Sequence, residues 1–359
     1  MRICFLADAG SWNTKIWANY FADVLEHDVH VVSDRCFGGF SRSVTMHQIG
    51  DLKDLMRPPS KLGYVLNVPT VRRILADIRP DILVGYRVPS NGYMGSRTGF
   101  HPLVVVAQGQ HVVAPGDSLV RRMFVRKAIR EADLVHVWAG HMADDVVKMG
   151  ASREKVLVCP KGIDLGRFEP APVGDREYTV VATRTLHRRY NVDVILTALA
   201  EARARVSGMT AVIAGRGESA ESLKRLAEDL DIADRVLFPG FVLNEELPEL
   251  LAKSEIYVSA VPTDGVSSSL LEAVACGCFP IVADNGANRQ WIEDGRNGFL
   301  VAAASPEAYA DAIARAWEDR PMRERAADVN RRMVVERGDI GKNMKTIEAR
   351  YLSLVEGGA

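Results

Sequence analysis

The sequence has 359 residues, a formal net charge of −1, 47% hydrophobic residues and 25% charged residues. This length exceeds what one hydrophobic core usually supports, so we expect two domains. The composition is that of an ordinary globular protein, and the near-neutral charge provides no broad basic surface for nucleic acid.

The start of the chain predicts a buried strand. The apolar run after Met1 is short and meets Asp8 too soon for a signal peptide, and no later run is long enough to span a bilayer. The five cysteines lack C-x-x-C spacing, and no second Cys/His pair completes a zinc site. These features predict a reduced, cytoplasmic protein.

Short apolar runs alternate with helical patterns along the whole chain. They are unbroken rather than alternating, which is typical of parallel strands covered on both faces. The pattern predicts an α/β fold with two doubly wound, Rossmann-like domains that face a ligand-binding cleft. The predicted strands are 3–7, 29–33, 81–85, 103–107, 134–137 and 156–159, followed by 178–183, 210–215, 235–239, 256–260, 279–283 and 299–301.

A domain boundary is predicted within residues 160–177, which are rich in Pro, Gly and charge and have no clear period. The interpretation is an N-terminal domain over 1–165 and a C-terminal domain over 166–330. The remaining segment, 331–359, contains an amphipathic pattern over 331–355. We expect one helix there, packing back towards the N-terminal domain.

The loop that opens at Asp264 is the most informative segment. Ser267, Ser268 and Ser269 lead into a predicted helix, and Glu272 stands eight positions after Asp264. The free amides and dipole of a helix N-terminus attract an anion, and carboxylates on either side can hold hydroxyls. A nucleotide sugar fits, with its ribose, diphosphate and sugar in a row. The alternative is a capping box, in which Glu272 bonds the amide of Ser269.

This segment resembles the E-x7-E signature of retaining glycosyltransferases of family 4, which have the GT-B fold; here Asp replaces the first Glu. Other segments are similar to the same family in the family's order, and together they cover nearly the whole chain. They are residues 10–17, 81–85, 102–109, 158–164, 167–168, 170, 183–184, 190–193, 214–217, 238–241, 288–292 and 294–300.

The resemblance implies where the donor binds. Glu272 would accept hydrogen bonds from ribose hydroxyls, and Asp264 would lie near the donor sugar. Arg184 would bind the diphosphate together with Arg189, which stands where the family usually has Lys. The other implied donor contacts are the loop residues Gly265, Val266, Ser267, Ser268 and Ser269, and, near the nucleoside, Gly215, Arg216 and Phe241.

In the first domain the resemblance implies looser assignments. Gly10 and Ser11 would let the backbone approach the diphosphate, with an ordinary strand–helix turn as the alternative. Gln108 stands at a strand end where many relatives have His; it can donate a hydrogen bond to a sugar hydroxyl but cannot relay a proton. His111 follows on the acceptor side, with a plain loop role as the alternative.

The implied reaction is retaining transfer of a sugar from a nucleoside-diphosphate sugar to a hydroxyl on a glycan, lipid or small molecule. No carboxylates form a D-x-D motif, so neither a metal nor a further cofactor is expected. Three alternatives stay open: a nucleotide-sugar epimerase of the same architecture, a two-lobed solute-binding protein, and a catalytically silent partner. The last is motivated by departures from the family pattern at Asp264, Gln108 and Gln290.

Residues 119–132 predict a basic amphipathic helix. Such a helix can lie on anionic lipid, which makes peripheral contact with the inner membrane face an expectation. The alternative is that the apolar stripe packs on the core and its cations are solvated. The stripe consists of Leu119, Val120, Met123, Phe124 and Ala128.

Overall fold

The computed structural model describes residues 1–35, 38–49, 63–109, 119–171 and 176–357. The chain forms two compact units. The first comprises Met1–Cys159 with Lys345–Ala359, and the second comprises Pro160–Met344. His111 lies outside the described residues.

The first unit contains a parallel sheet in the order β3-β2-β1-β4-β5-β6-β7. Phe5 of the central strand pairs with Val31 on one side and Val84 on the other. The inner strands are almost wholly buried, as their unbroken apolar sequences predict. The strands are β1 (Arg2–Leu6), β2 (Asp28–Ser33), β3 (Val44–Gln48), β4 (Ile82–Tyr86), β5 (Leu103–Ala107), β6 (Leu134–Val137) and β7 (Val156–Val158).

Helices cover this sheet and place aromatic side chains in its core. Trp17 is fully buried, and its ring centroid lies 5.3 Å from that of Tyr86. Phe21 follows in a short π-helical turn and packs edge-on against Phe5. The helices are α1 (Trp12–Asn19), α2 (Gly63–Leu66), α3 (Val68–Ile78), α4 (Tyr93–Thr98), α5 (Leu119–Glu131) and α6 (Gly140–Lys148).

The second unit contains another parallel sheet, in the order β10-β9-β8-β11-β12-β13. The chain builds outwards from β8 in one direction and from β11 in the other, so the strand order reverses between these two neighbours. Open α/β sheets bind ligands at such a reversal, beyond the carboxyl ends of the strands. The strands are β8 (Tyr178–Thr183), β9 (Ala211–Ala214), β10 (Val236–Gly240), β11 (Ser254–Ser259), β12 (Phe279–Ala283) and β13 (Phe299–Val301).

Helices lie on both faces of this sheet, because successive strand residues point to opposite sides. Ile256 and Val258 pack with one cluster that includes Leu199 of α7. Tyr257 packs with the other, which includes Leu270 of α10. The helices are α7 (Val192–Ala202), α8 (Ala220–Asp229), α9 (Leu247–Ala252), α10 (Ser268–Ala275), α11 (Pro306–Glu318), α12 (Arg320–Arg337) and α13 (Ile340–Gly357).

All twelve predicted strands are present with small shifts at their ends, but β3 was missed. Only Val44 of β3 is buried, so this strand lacks the apolar run by which the others were recognised. The prediction of one helix over 331–355 is wrong. The α12 helix ends at Arg337, and α13 begins at Ile340 after Asp339 forms a bridge with Ile163.

Candidate donor-binding site

Arg184 and Asp264 follow the two strands at which the second sheet reverses its order. Arg184 comes directly after β8, and Asp264 lies in the loop after β11; the two strands are parallel neighbours. Parallel neighbours end at the same edge of a sheet, so side chains 80 positions apart in sequence meet there. This edge is where the sequence predicted the donor diphosphate.

The two side chains form an ion pair between Nη2 of Arg184 and Oδ2 of Asp264. Arg184 Nη1 also lies 3.4 Å from the Ser269 hydroxyl oxygen, and Asp264 Oδ1 accepts from the Gly265 amide at 2.8 Å. Burial is the largest single influence and acts to lower the pKa of Arg184, but Asp264, Tyr257 and Tyr190 together oppose it and the pKa is raised. Arg184 therefore stays charged. Its Nε is buried and has no hydrogen-bond partner among the described residues.

The α10 helix begins at Ser268, next to this ion pair. The N-cap residue is Ser267, whose hydroxyl oxygen lies 3.3 Å from the Leu270 amide nitrogen. The capping box at Ser269 and Glu272 is therefore wrong, because Glu272 lies in the second helical turn. The first amides of an α-helix have no partner within it, so the start of α10 offers donors and the positive end of its dipole beside the ion pair.

Glu272 projects from α10 into cationic surroundings. Burial raises its pKa, while the charges of Lys161, Arg184 and Arg167 oppose that rise. A partly buried carboxylate among cations can accept hydrogen bonds from a ligand's hydroxyls without a further counter-ion.

Lys161 is a residue whose role the sequence did not reveal. Its side chain is 7% exposed, and burial lowers its pKa although the charge of Glu272 opposes this. Lys161 lies in a Pro-Lys-Gly-Ile-Asp segment that the sequence indicated only as part of the domain boundary and of the resemblance to the family. The sequence did contain one signal, which is a lysine among apolar and small residues. Because lysine is seldom buried without a charge partner, this position indicates a lysine that interacts with an acidic group.

Arg189 joins the site through Tyr190. Its Nη2 donates to the Tyr190 hydroxyl at 2.8 Å, and its guanidinium carbon lies 4.8 Å from the ring centroid. The guanidinium carbon of Arg184 is 5.3 Å from the same centroid. One aromatic ring therefore supports both arginines that the resemblance assigned to the diphosphate.

The segment proposed for the nucleoside lies at the ends of β9 and β10. Gly215 has φ of +155°, and a Cβ there would meet the carbonyl oxygen of Arg184 at 1.9 Å, so the loop requires glycine. The Gly215 amide donates to the Gly240 carbonyl at 2.7 Å. The Arg216 guanidinium carbon lies 4.7 Å from the ring centroid of Phe241, which is 55% exposed. The two side chains form an open, flat surface.

Three predicted residues that the structure describes belong to the first unit. Gly10 donates its amide to Oδ1 of Asp8 at 2.9 Å, and Ser11 precedes α1 without a side-chain capping bond. Gln108 follows β5, and its Nε2 is buried without a partner among the described residues. These positions stay predictions, as does His111, which lies outside the described residues.

The described residues provide no metal or membrane-spanning feature. They contain no group of three or more His, Cys, Asp or Glu residues that could hold a metal ion. No helix among them is both long enough and apolar enough to cross a bilayer.

Both halves of the chain match family models. Residues 2–137 match the model described as "Glycosyl transferase 4-like", and residues 167–333 match "Glycosyl transferases group 1". Each half of the chain is therefore similar to a glycosyltransferase domain. The two parallel sheets and their covering helices confirm the predicted fold class of two Rossmann-like domains.

Curated relatives are similar over part of their length. A Mycobacterium tuberculosis protein named GDP-mannose-dependent alpha-(1-6)-phosphatidylinositol monomannoside mannosyltransferase is 32% identical over 178 residues, which is 45% of this chain and 46% of the relative. The Mycolicibacterium smegmatis protein of the same name is 27% identical over 62% of each chain. This chain thus spans about half to three-fifths of the length of these relatives.

Solved structures match over almost the whole chain. HepE from Anabaena, in complex with UDP-glucose, is 20% identical and has a TM-score of 0.79, with 99% of this chain and 100% of HepE covered. Sucrose-phosphate synthase from Thermosynechococcus elongatus is 17% identical and has a TM-score of 0.84, with the same coverage. At such identities the likeness supports the GT-B fold alone.

Proposed function

We propose that this protein is a retaining glycosyltransferase that moves a hexosyl group from a nucleoside-diphosphate sugar to a hydroxyl acceptor. The observation that carries the proposal is the Arg184–Asp264 ion pair, which lies where the strand order of the second sheet reverses and beside the N-terminus of α10. This arrangement offers a cation and helix amides to a diphosphate.

The donor would extend across the carboxyl edge of the second sheet. Its diphosphate would lie against Arg184, Arg189 and the α10 amides, and its ribose hydroxyls would bind Glu272. Asp264 would hold the sugar, one methylene further back than Glu would. The base would stack near the flat surface that Arg216 and Phe241 form.

Transfer would take place on one face of the donor sugar. The acceptor oxygen would bond the anomeric carbon as the bond to the diphosphate breaks, and a β-phosphate oxygen would take the acceptor proton. Arg184 and Arg189 would stabilise the departing diphosphate, so that positioning and charge replace covalent catalysis. The roles that the resemblance implies for Gly10, Ser11, Gln108 and His111 are part of the proposal. The proposal involves no metal and a cytoplasmic location.

Ligand-induced stabilisation tests the donor site. A ligand that binds the native state raises the melting temperature by mass action. The screen uses GDP, UDP and ADP and their sugars, since the mycobacterial relatives carry GDP-mannose in their names and HepE was solved with UDP-glucose. Each ligand is measured with and without Mg²⁺. No shift with any nucleoside diphosphate would contradict the proposal.

Product analysis with the donor so identified tests the reaction. NMR of the glycosyl product should show the anomeric configuration of the donor, and product should form only when a hydroxyl acceptor is added. An inverted product would overturn retention. Conversion of the donor without an acceptor would identify a nucleotide-sugar epimerase, and binding without either reaction would identify a silent partner.

A further inference from the structure

The α5 helix of the first unit buries one side and exposes large apolar groups on the other. The side chains of Leu119 and Met123 are 73% and 68% exposed, and Val120 is 47% exposed. The alternative in which the whole apolar stripe packs on the core is therefore wrong for these three residues. The side that does pack inwards consists of Val125, Ala128 and Ile129.

Cations border this exposed apolar surface. Arg122, Arg126 and Arg130 are exposed. At 3.6 residues per turn, Leu119 and Met123 lie in line with Arg126 and Arg130. The one acidic residue of the helix, Glu131, forms an ion pair with Lys127 and so leaves these arginines without an acidic partner on α5. We call Leu119, Val120, Arg122, Met123 and Arg126 the α5 outer face.

The orientation of this face is set by packing on the opposite side and flank of the helix. Phe124 stacks on Tyr93 of α4 with ring centroids 3.8 Å apart. The α2 helix also contacts α4, and its Val65 and Leu66 are 37% and 65% exposed. The α4 helix contacts both α2 and α5. The exposed apolar side chains of α2 and α5 therefore lie on two helices that pack against the same neighbour.

We infer that the α5 outer face docks on an anionic lipid bilayer. Apolar side chains on a helix surface insert at the boundary between headgroups and acyl chains, while arginines on the same face bind acidic headgroups. The exposed arginines favour an anionic partner. The exposed apolar side chains favour a partner that can remove them from water. The inference concerns an interaction surface and does not require that the protein transfer sugar.

Co-sedimentation of the full chain with vesicles tests the docking. One set of vesicles contains phosphatidylcholine alone, and the other contains equal parts of phosphatidylcholine and phosphatidylglycerol. We expect at least tenfold tighter binding to the anionic vesicles, with a decrease at high salt because ions screen exposed charges. Equal affinity for both vesicles, or none for either, would overturn the inference.

Paired substitutions locate the surface. Leu119→Ser with Met123→Ser, and Arg122→Gln with Arg126→Gln, should each weaken binding to anionic vesicles about tenfold or more. The matched control, Arg332→Gln with Val335→Ser, changes an exposed arginine and an exposed valine of α12. Loss of binding in the control, or retained binding in both α5 pairs, would contradict the assignment.

Other measurements separate this inference from other occupants and from the proposed function. If sedimentation velocity detects a dimer that Met123→Ser dissociates, the face binds a second copy and the inference is wrong. A clearly lower melting temperature of the Leu119/Met123 pair would mean that these side chains pack within the folded chain. The thermal shift by a nucleoside diphosphate should persist in every α5 variant, so failure here leaves the donor site untouched.

Discussion

Arg184 and Asp264 neutralise each other in their ion pair. Their side chains are 19% and 24% exposed, so each would otherwise leave a poorly solvated charge. In the proposed complex, a diphosphate would bring negative charge to the same guanidinium and would compete with Asp264 for it or share it. The ion pair would then hold Arg184 in position for the donor.

Substitution of Arg184 tests this role. Arg184→Gln should weaken nucleoside diphosphate binding by about 10- to 100-fold, because a hydrogen bond to a charged group is worth roughly 1.5–3 kcal/mol. Isothermal titration calorimetry measures the affinity, with Arg225→Gln on the exposed side of α8 as the control.

Arg184→Gln has two effects: it removes the proposed contact with the ligand, and it leaves the Asp264 carboxylate without its cation. The double variant Arg184→Gln with Asp264→Asn separates them, because it also removes the charge of Asp264. If the double variant recovers normal affinity, the arginine serves only to neutralise Asp264.

Substitution of Glu272 should affect the stability of the protein and its affinity for a nucleotide sugar in different ways. Burial raises its pKa, so the folded protein holds this proton more tightly than the unfolded chain does. The ligand-free protein should therefore gain stability from this group as pH falls through the raised pKa, and Glu272 should contribute no stability at neutral pH. Glu272→Gln should leave the melting temperature at pH 7 unchanged or higher, yet lower nucleotide-sugar affinity about tenfold or more.

Two measurements check this expectation. Thermal unfolding between pH 4 and pH 8 should show a weaker gain on acidification in Glu272→Gln than in the wild-type protein. Ligand titration at pH 7 should show the loss of affinity, and Glu249→Gln on α9 provides a control for an exposed carboxylate. A Glu272→Gln variant that is less stable but binds normally would make Glu272 a structural residue.

At the scale of elements, the loops that follow β8 and β9 are hydrogen-bonded to each other at the carboxyl edge of the second sheet. The Leu186 amide donates to the Arg216 carbonyl, and the Ser219 amide donates to the Leu186 carbonyl, each at 3.0 Å. A Cβ at Gly217 would lie 2.1 Å from the Leu186 oxygen, nearly as close as the one at Gly215 would lie to the Arg184 oxygen. The loop after β9 therefore positions the backbone that carries Arg184.

Gly215→Ala should disrupt this arrangement. Backbone must move to admit the methyl group, so the loss of stability should exceed the roughly 1 kcal/mol that a left-handed backbone costs alanine elsewhere. Gly208→Ala is the matched control, because Gly208 has φ of +68° and nothing within 4 Å of a Cβ. Urea unfolding measures both variants, and nucleoside diphosphate titration should show weaker binding in Gly215→Ala alone. Equal losses of stability would mean that the close approach is not required.

The elements differ in how far the sequence could predict them. An unbroken apolar run is a strong signal, so β5, β8 and β12 were predicted with their observed bounds. The polar edge strand β3 carries no such signal. Three consecutive serines at the start of α10 do not reveal which of them caps the helix, because each could accept from an amide three positions on. The partners of Lys161 depend on long-range folding, which local pattern does not encode.

At the scale of the whole molecule, the end of the chain returns to the first unit. Residues from Lys345 onwards group with Met1–Cys159, although α13 begins within the second unit. Tyr351 is fully buried and its ring stacks on Phe21 with centroids 5.9 Å apart. Glu348 bonds His27 at 2.7 Å. The C-terminal residues are therefore part of the core of the first unit.

Tyr351→Ala should destabilise the first unit selectively. Removing a fully buried aromatic side chain costs about 3 kcal/mol or more, and this one packs on Phe21. Hydrogen exchange measured by mass spectrometry should show faster exchange in peptides from β1 and β4, while β8 and β11 keep their protection because their core contains no residue of the 345–357 segment. Ser353→Ala, at an exposed position of the same helix, should change neither set of peptides.

The nucleoside diphosphate should still protect β8 and β11 in Tyr351→Ala, since the donor contacts proposed for it lie mainly in the second unit. Equal loss of protection in both units would mean that they unfold as one cooperative body, and no loss in the first would mean that α13 does not complete its core.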